Sequence, residues 1–110
     1  MATVTPIDDL RLSPTAALFE GKDEIPISSF IVEYPERGKG PDLHYHPYPE
    51  AFVVLDGTAR FTAGDEEIIV PGGNVVVVPA ETVHGFKNSE DSVLRVVSIH
   101  PSPTVEQTDL

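Results

Sequence analysis

Short apolar runs recur along this chain at strand length: residues 16–20, 25–34, 51–55, 59–63, 67–70, 74–78, 83–86 and 93–99. β-branched and aromatic residues dominate them, a composition that suits a pleated, half-buried surface. Between the runs stand turn formers: Gly21-Lys22-Asp23, Gly38-Lys39-Gly40-Pro41, Pro47-Tyr48-Pro49, Asp56-Gly57, Gly64-Asp65, Pro71-Gly72-Gly73 and Asn88-Ser89-Glu90-Asp91. Eight strands punctuated this often predict an all-β closed sandwich or barrel. Asp56-Gly57 predicts a tight hairpin that pairs its two flanking strands, because glycine supplies the positive φ such a turn needs. Gly64-Asp65 repeats the signal one strand later, so the middle of the chain reads as an antiparallel meander. Residues 1–13 are mixed and polar and read as an N-terminal arm or first strand, residues 14–100 as the barrel, and residues 101–110 as a C-terminal tail.

Length and charge narrow the functional classes. A chain of 110 residues has room for one core and no second catalytic domain. Eighteen acidic against seven basic side chains give a net charge of -11, which argues against nucleic acid or another polyanion as partner. The absence of cysteine excludes disulfide stapling and thiolate catalysis. Asp8 and Asp9 stand where a signal peptide would carry Lys or Arg, and no apolar stretch of export length follows, so a cytoplasmic location is expected. The longest strongly apolar run, 75–78, is far short of the roughly 20 residues that a membrane helix needs.

Candidate chemistry centres on the histidines. His44 and His46 flank Tyr45, and positions i and i+2 of a strand share a face, so one ion could reach both imidazoles. Glu50 follows a Pro47-Tyr48-Pro49 turn, and His84 lies downstream after a second proline-containing turn at Pro79-Ala80. Three imidazoles and a carboxylate suit one divalent first-row ion, namely Fe, Mn, Ni, Cu, Co or Zn, and not a soft-thiolate cluster or an all-oxygen Ca²⁺ site. Taken singly, a His-x-His pair is also common on exposed strands, and a lone Glu50 reads as a solvated charge.

The spacing of these residues resembles a known family. Gly38, five residues, His44-Tyr45-His46, three residues, Glu50, six residues and Gly57 are similar to the first motif of the cupin superfamily. Gly73, five residues, Pro79, then His84, three residues and Asn88 resemble the second motif, and the fifteen-residue spacer resembles that of small bacterial single-domain cupins. The resemblance implies a double-stranded β-helix, or jelly-roll barrel, with one metal ion held inside by His44, His46, Glu50 and His84. One departure is Glu81, where the second motif usually has glycine; it implies either a turn of negative φ or a left-handed residue at some cost.

Strand parity suggests the surroundings of such an ion. Phe52 and Val54 share the Glu50 face, Phe86 shares that of His84, and Phe30, Val32 and Tyr34 are core or lining residues. On the strand at 59–63, burial favours Phe61 inward and Arg60 outward; an inward Arg60 would instead clamp an oxyanion. The expected substrate pocket is therefore Phe52, Val54, Phe61, Phe86, Phe30 and Tyr34. Tyr45 should face outward, Tyr48 is placed to close over the mouth, and His100 reads as a plain surface or strand-end residue.

Three functions fit these residues. The first is a metal-dependent dioxygenase acting on a small enolic or aromatic substrate. The second is a non-redox isomerase, cyclase, dehydratase or lyase in which the ion polarises a carbonyl. Its base would be Tyr48, an unligated histidine, a loosely held Glu50 or water, which makes Glu50 and Tyr48 the candidate catalytic residues. The third is a module that binds a small ligand without turnover. Val53, Leu55, Val75 and Val77 lie on the parity opposite to the inward set, and this two-sided hydrophobicity predicts a homodimer.

Overall fold

Strands form where the sequence alternates or runs apolar. In the computed structural model, which describes residues 1–110, a 3₁₀ turn at Ile7–Leu10 is followed by β1 (Arg11–Ser13), β2 (Ala16–Glu20), β3 (Ser28–Tyr34), β4 (His44–Tyr45), β5 (Glu50–Asp56) and β6 (Thr58–Ala63). The chain continues through β7 (Glu66–Pro71), β8 (Asn74–Val78), β9 (His84–Asn88), β10 (Leu94–Ile99) and β11 (Thr108–Asp109). Two antiparallel sheets result: six strands in the order β1-β2-β3-β10-β5-β8 and five in the order β11-β4-β9-β6-β7. They pack face to face as a double-stranded β-helix, and no helix is long and apolar enough to cross a membrane.

The inner faces meet in a single core. Glu50, Phe52 and Val54 of β5 are buried while Leu55 is exposed, and Leu94, Val96 and Ser98 of β10 alternate in the same way. From the opposite sheet come Ala59, Phe61, Val70 and Phe86. Phe61 stacks on Phe86 with ring centroids 4.9 Å apart and meets Phe52 edge-on at 5.0 Å, so aromatic contacts join the sheets at mid-barrel. Phe61 is thus inward and fully buried, while Arg60 faces outward and pairs with Glu67 at 3.4 Å.

Asp56-Gly57 does not make the expected hairpin. β5 pairs with β10 and β8, whereas β6 pairs with β7 and β9, so the two strands flanking this turn belong to different sheets. The turn is a corner at which the chain crosses the sandwich. Gly57 has φ +80°, and a Cβ there would lie 2.5 Å from the Val93 carbonyl oxygen. Close approach of the β9–β10 loop therefore demands the glycine, a constraint that local sequence shares with a hairpin. Gly64-Asp65 does connect a paired β6–β7 hairpin.

The two ends of the chain join the sheets as edge strands. β1 pairs with β2 at the edge of the six-stranded sheet, and β11 pairs with β4. Glu81 takes the left-handed option, at φ +63°, and its N–H donates to the His46 carbonyl at 2.9 Å. The turn before His84 is thereby tied to the segment that carries His46.

Candidate metal centre

Pairing of β4 with β9 sets His44 directly opposite His84, and their imidazole centroids are 4.5 Å apart. His46 lies just beyond β4, and Glu50 opens β5 in the facing sheet, so the cluster bridges both sheets at one end of the barrel. One donor atom from each of His44, His46, Glu50 and His84 falls within 4.8 Å of the others, and all four side chains are buried.

Backbone carbonyls fix the three rings. The Nδ1 atoms of His44, His46 and His84 lie 2.7, 2.8 and 2.7 Å from the carbonyl oxygens of Asp42, Glu106 and Thr82. A carbonyl only accepts, so each Nδ1 carries a proton, and each ring, when neutral, presents an Nε2 lone pair. Nε2 of His46 and of His84 are each 3.0 Å from Oε1 of Glu50, and Nε2 of His46 has no aligned hydrogen-bond partner. At that distance from a carboxylate oxygen each Nε2 needs either a second ring proton, donated to Oε1, or a cation shared among the donors. A divalent first-row ion fits this neutral-nitrogen and carboxylate donor set.

Titration behaviour reflects the same crowding. Burial would raise the Glu50 pKa, but contacts with His100, His46 and His84 outweigh it and hold the carboxyl well below its usual range. Burial lowers the His44 pKa, and the neighbouring His84 and His46 lower it further against the pull of the Asp42 carbonyl. His46 moves the other way: burial opposes its charge, yet Glu50 and the Glu106 carbonyl together raise its pKa.

His100 corrects the sequence reading. It is only 1% exposed, and its Nε2 lies 2.9 Å from Oε2 of Glu50. Two backbone hydrogen bonds with Ser28 hold it in line with β10, so Leu94, Val96, Ser98 and His100 all face inward. Extending the alternation of that strand past Ile99 would have placed it there; the following Pro101 suggested a strand already ended. Tyr48 stacks on His46 with ring planes 5° apart, its hydroxyl 2.7 Å from Nδ1 of His100, while Tyr45 is half-buried.

A cavity of about 190 Å³ opens beside the cluster, with His44, Glu50 and His100 on its polar side and Phe30, Phe52 and Phe86 among its apolar walls. Tyr34 also lines it, and burial raises the pKa of its phenol. Val54 and Phe61, expected on this wall, belong instead to the core: Val54 is two positions further along β5 from Glu50 than the cavity reaches, and Phe61 lies behind Phe52 and Phe86.

This fold with this buried donor set is the class of protein that the two sequence motifs resemble. Residues 30–100 match the Cupin domain family model, and the chain belongs to the cupin family. A curated relative, mannose-1-phosphate guanylyltransferase RfbM of Salmonella typhimurium, is 28% identical over 68 residues, which are 62% of this chain and 14% of that protein. Bacillus subtilis oxalate decarboxylase, whose structure was studied for its Mn(II) centers, superposes with a TM-score of 0.79 at 23% identity, covering 89% of this chain and 29% of that one. An oxalate oxidase in complex with the substrate analogue glycolate gives a TM-score of 0.72 at 18% identity, covering 88% and 56%. The chain thus spans only a fraction of the length of each, and at these identities the solved structures establish the fold alone.

Proposed function

We propose that this chain is a metal-dependent enzyme, a dioxygenase acting on a small enolic or aromatic substrate bound beside the ion. The observation that carries the reading is the crowding of Nε2 atoms against Glu50 Oε1 with the Nδ1 of all three rings committed to carbonyls. His44, His46, Glu50 and His84 would hold the ion. When bound, a first-row ion supplies Lewis acidity and, if redox-active, electron exchange with dioxygen. The chain itself supplies the rest: Phe30, Phe52 and Phe86 exclude water and offer flat apolar surfaces to a planar ligand, and Glu50 remains ionised at the polar end.

Oxalate decarboxylase and oxalate oxidase, by their names, show this fold carrying both a decarboxylation and an oxidation, which supports metal chemistry without choosing between redox and non-redox turnover. The second reading is a non-redox isomerase, cyclase, dehydratase or lyase. Glu50 favours it, as an ionised carboxylate on the cavity wall that, loosely held, could exchange a proton with substrate.

Metal analysis on anaerobically purified protein, followed by oxygen-uptake assays with enolic and catecholic compounds, tests the proposal. About one ion per chain and substrate-dependent uptake are expected. Stoichiometric Fe or Mn with no uptake would transfer the case to the non-redox reading or to ligand binding without turnover, and a protein that takes up no metal would end all metal-dependent readings.

A further inference from the structure

Four histidines surround Glu50, but only three have Nδ1 bound to an atom that can do nothing except accept. The fourth, His100, has its Nδ1 2.7 Å from the Tyr48 hydroxyl, which can donate. That hydroxyl oxygen already accepts the Glu106 N–H at 3.2 Å, which leaves its O–H free to donate to Nδ1. The proton of a neutral His100 ring then sits on Nε2, the atom 2.9 Å from Oε2 of Glu50. The opposite tautomer would set an Nε2 lone pair against a carboxylate lone pair in a fully buried position.

We propose that His100 is a positioning residue for Glu50, the one histidine of the four in the Nε2–H form, fixed in that form by Tyr48. The two carboxylate oxygens are thereby divided. Oε2 faces the His100 donor, and Oε1 faces His46 and His84, each 3.0 Å away. Nε2 of His100 is close to Oε2 but not aligned with it, so a small turn of either side chain completes the bond. The division fixes which oxygen Glu50 offers to a cation, and through Glu106 it links the cluster to the segment that forms β11. This inference rests on the metal reading for its purpose but not for its geometry, and the two can fail separately.

The first test is long-range ¹H–¹⁵N spectroscopy of the metal-free protein at neutral pH. His44 and His84 are expected as Nδ1–H tautomers and His100 as the Nε2–H tautomer; an Nδ1–H His100 overturns the proposal whatever the protein binds. The second is titration with manganese(II) alone. His100→Leu should weaken binding by about ten- to a hundredfold, as loss of a hydrogen bond to a ligand commonly does. His100→Gln, whose side-chain amide can donate to Oε2, should recover most of the affinity, and Tyr48→Phe should fall between. Equal affinity in a folded His100→Leu protein, or Gln no better than Leu, overturns the positioning role. If the unaltered protein binds no manganese or other first-row ion, the functional reading fails, while the tautomer measurement still decides the inference.

Discussion

At the scale of single residues, Glu50 concentrates the physics of the centre. An ionised carboxylate that is 4% exposed survives only because imidazoles surround it. Its folded pKa lies below the usual 4.5, so its contribution to stability is complete above about pH 4.5 and disappears as the pH falls from there. Urea midpoints of metal-free wild type and Glu50→Gln should therefore differ most above pH 4.5 and converge in acid; a gap that widens on acidification would contradict this origin. His44 adds a loss of stability as pH falls below about 6.5, and His46, with its raised pKa, opposes it by a contribution that fades as pH rises. For the proposed ligands, His44→Ala and His84→Ala should each abolish retention of the ion, read by elemental analysis, with the far-ultraviolet circular dichroism unchanged. Metal content equal to wild type in both would remove these side chains from the donor set. Glu81 offers an independent check. Glycine at its φ of +63° should raise stability by up to about 1 kcal/mol in thermal unfolding, the relief of a left-handed side chain less the added freedom of the unfolded chain.

Among elements, the sequence was most informative where strands are long and alternating. β2 and β8 have the bounds that their apolar runs predict, and β6, β7 and β10 differ by a residue or so at their ends. β1, β4 and β11, of three, two and two residues, carry too little pattern for their bounds to be read, because a strand this short is defined by its partners and not by its own composition. The same limit explains the Asp56-Gly57 corner: both a hairpin and a crossing between sheets need positive φ, and only the neighbouring Val93 backbone distinguishes them. Of the candidate site, the spacing of His44, His46, Glu50 and His84 was legible and His100 could be reached only by carrying the β10 alternation past Ile99, whereas the Glu106 carbonyl is a backbone atom with no sequence signature. Gly57→Ala should cost about 2 kcal/mol or more in urea unfolding, through both left-handed strain and collision with Val93; a cost near zero would show that the corner can relax.

For the whole molecule, the outer face of the six-stranded sheet is unusually apolar. Register aligns Ile31, Val97, Val53 and Val75 in one row across four strands, and Ile99, Ala51 and Val77 in the next. Val75 and Val77 are 63% and 66% exposed. Charges lie toward the margins, where Arg95 pairs with Glu33 and Asp56 at one end and Arg11 pairs with Asp8 at the β1 edge, so two acidic copies could meet across the β3–β10–β5–β8 part of these rows without burying like charges. A homodimer is therefore the expected state, with light scattering giving about twice 11.9 kDa and the double substitution Val75→Lys, Val77→Lys restoring the single-chain mass. A single-chain mass for the unaltered protein at micromolar concentration would refute it.

Glu106 receives His46 on its carbonyl and offers its N–H to Tyr48, although it lies sixty residues beyond His46. During translation the first three donors leave the ribosome early, but His46 has no anchor until residue 106 has emerged and β11 has docked. The proposed ligand set is therefore fully oriented only once the segment that carries β11 has docked against β4, sixty residues downstream of the ring it anchors.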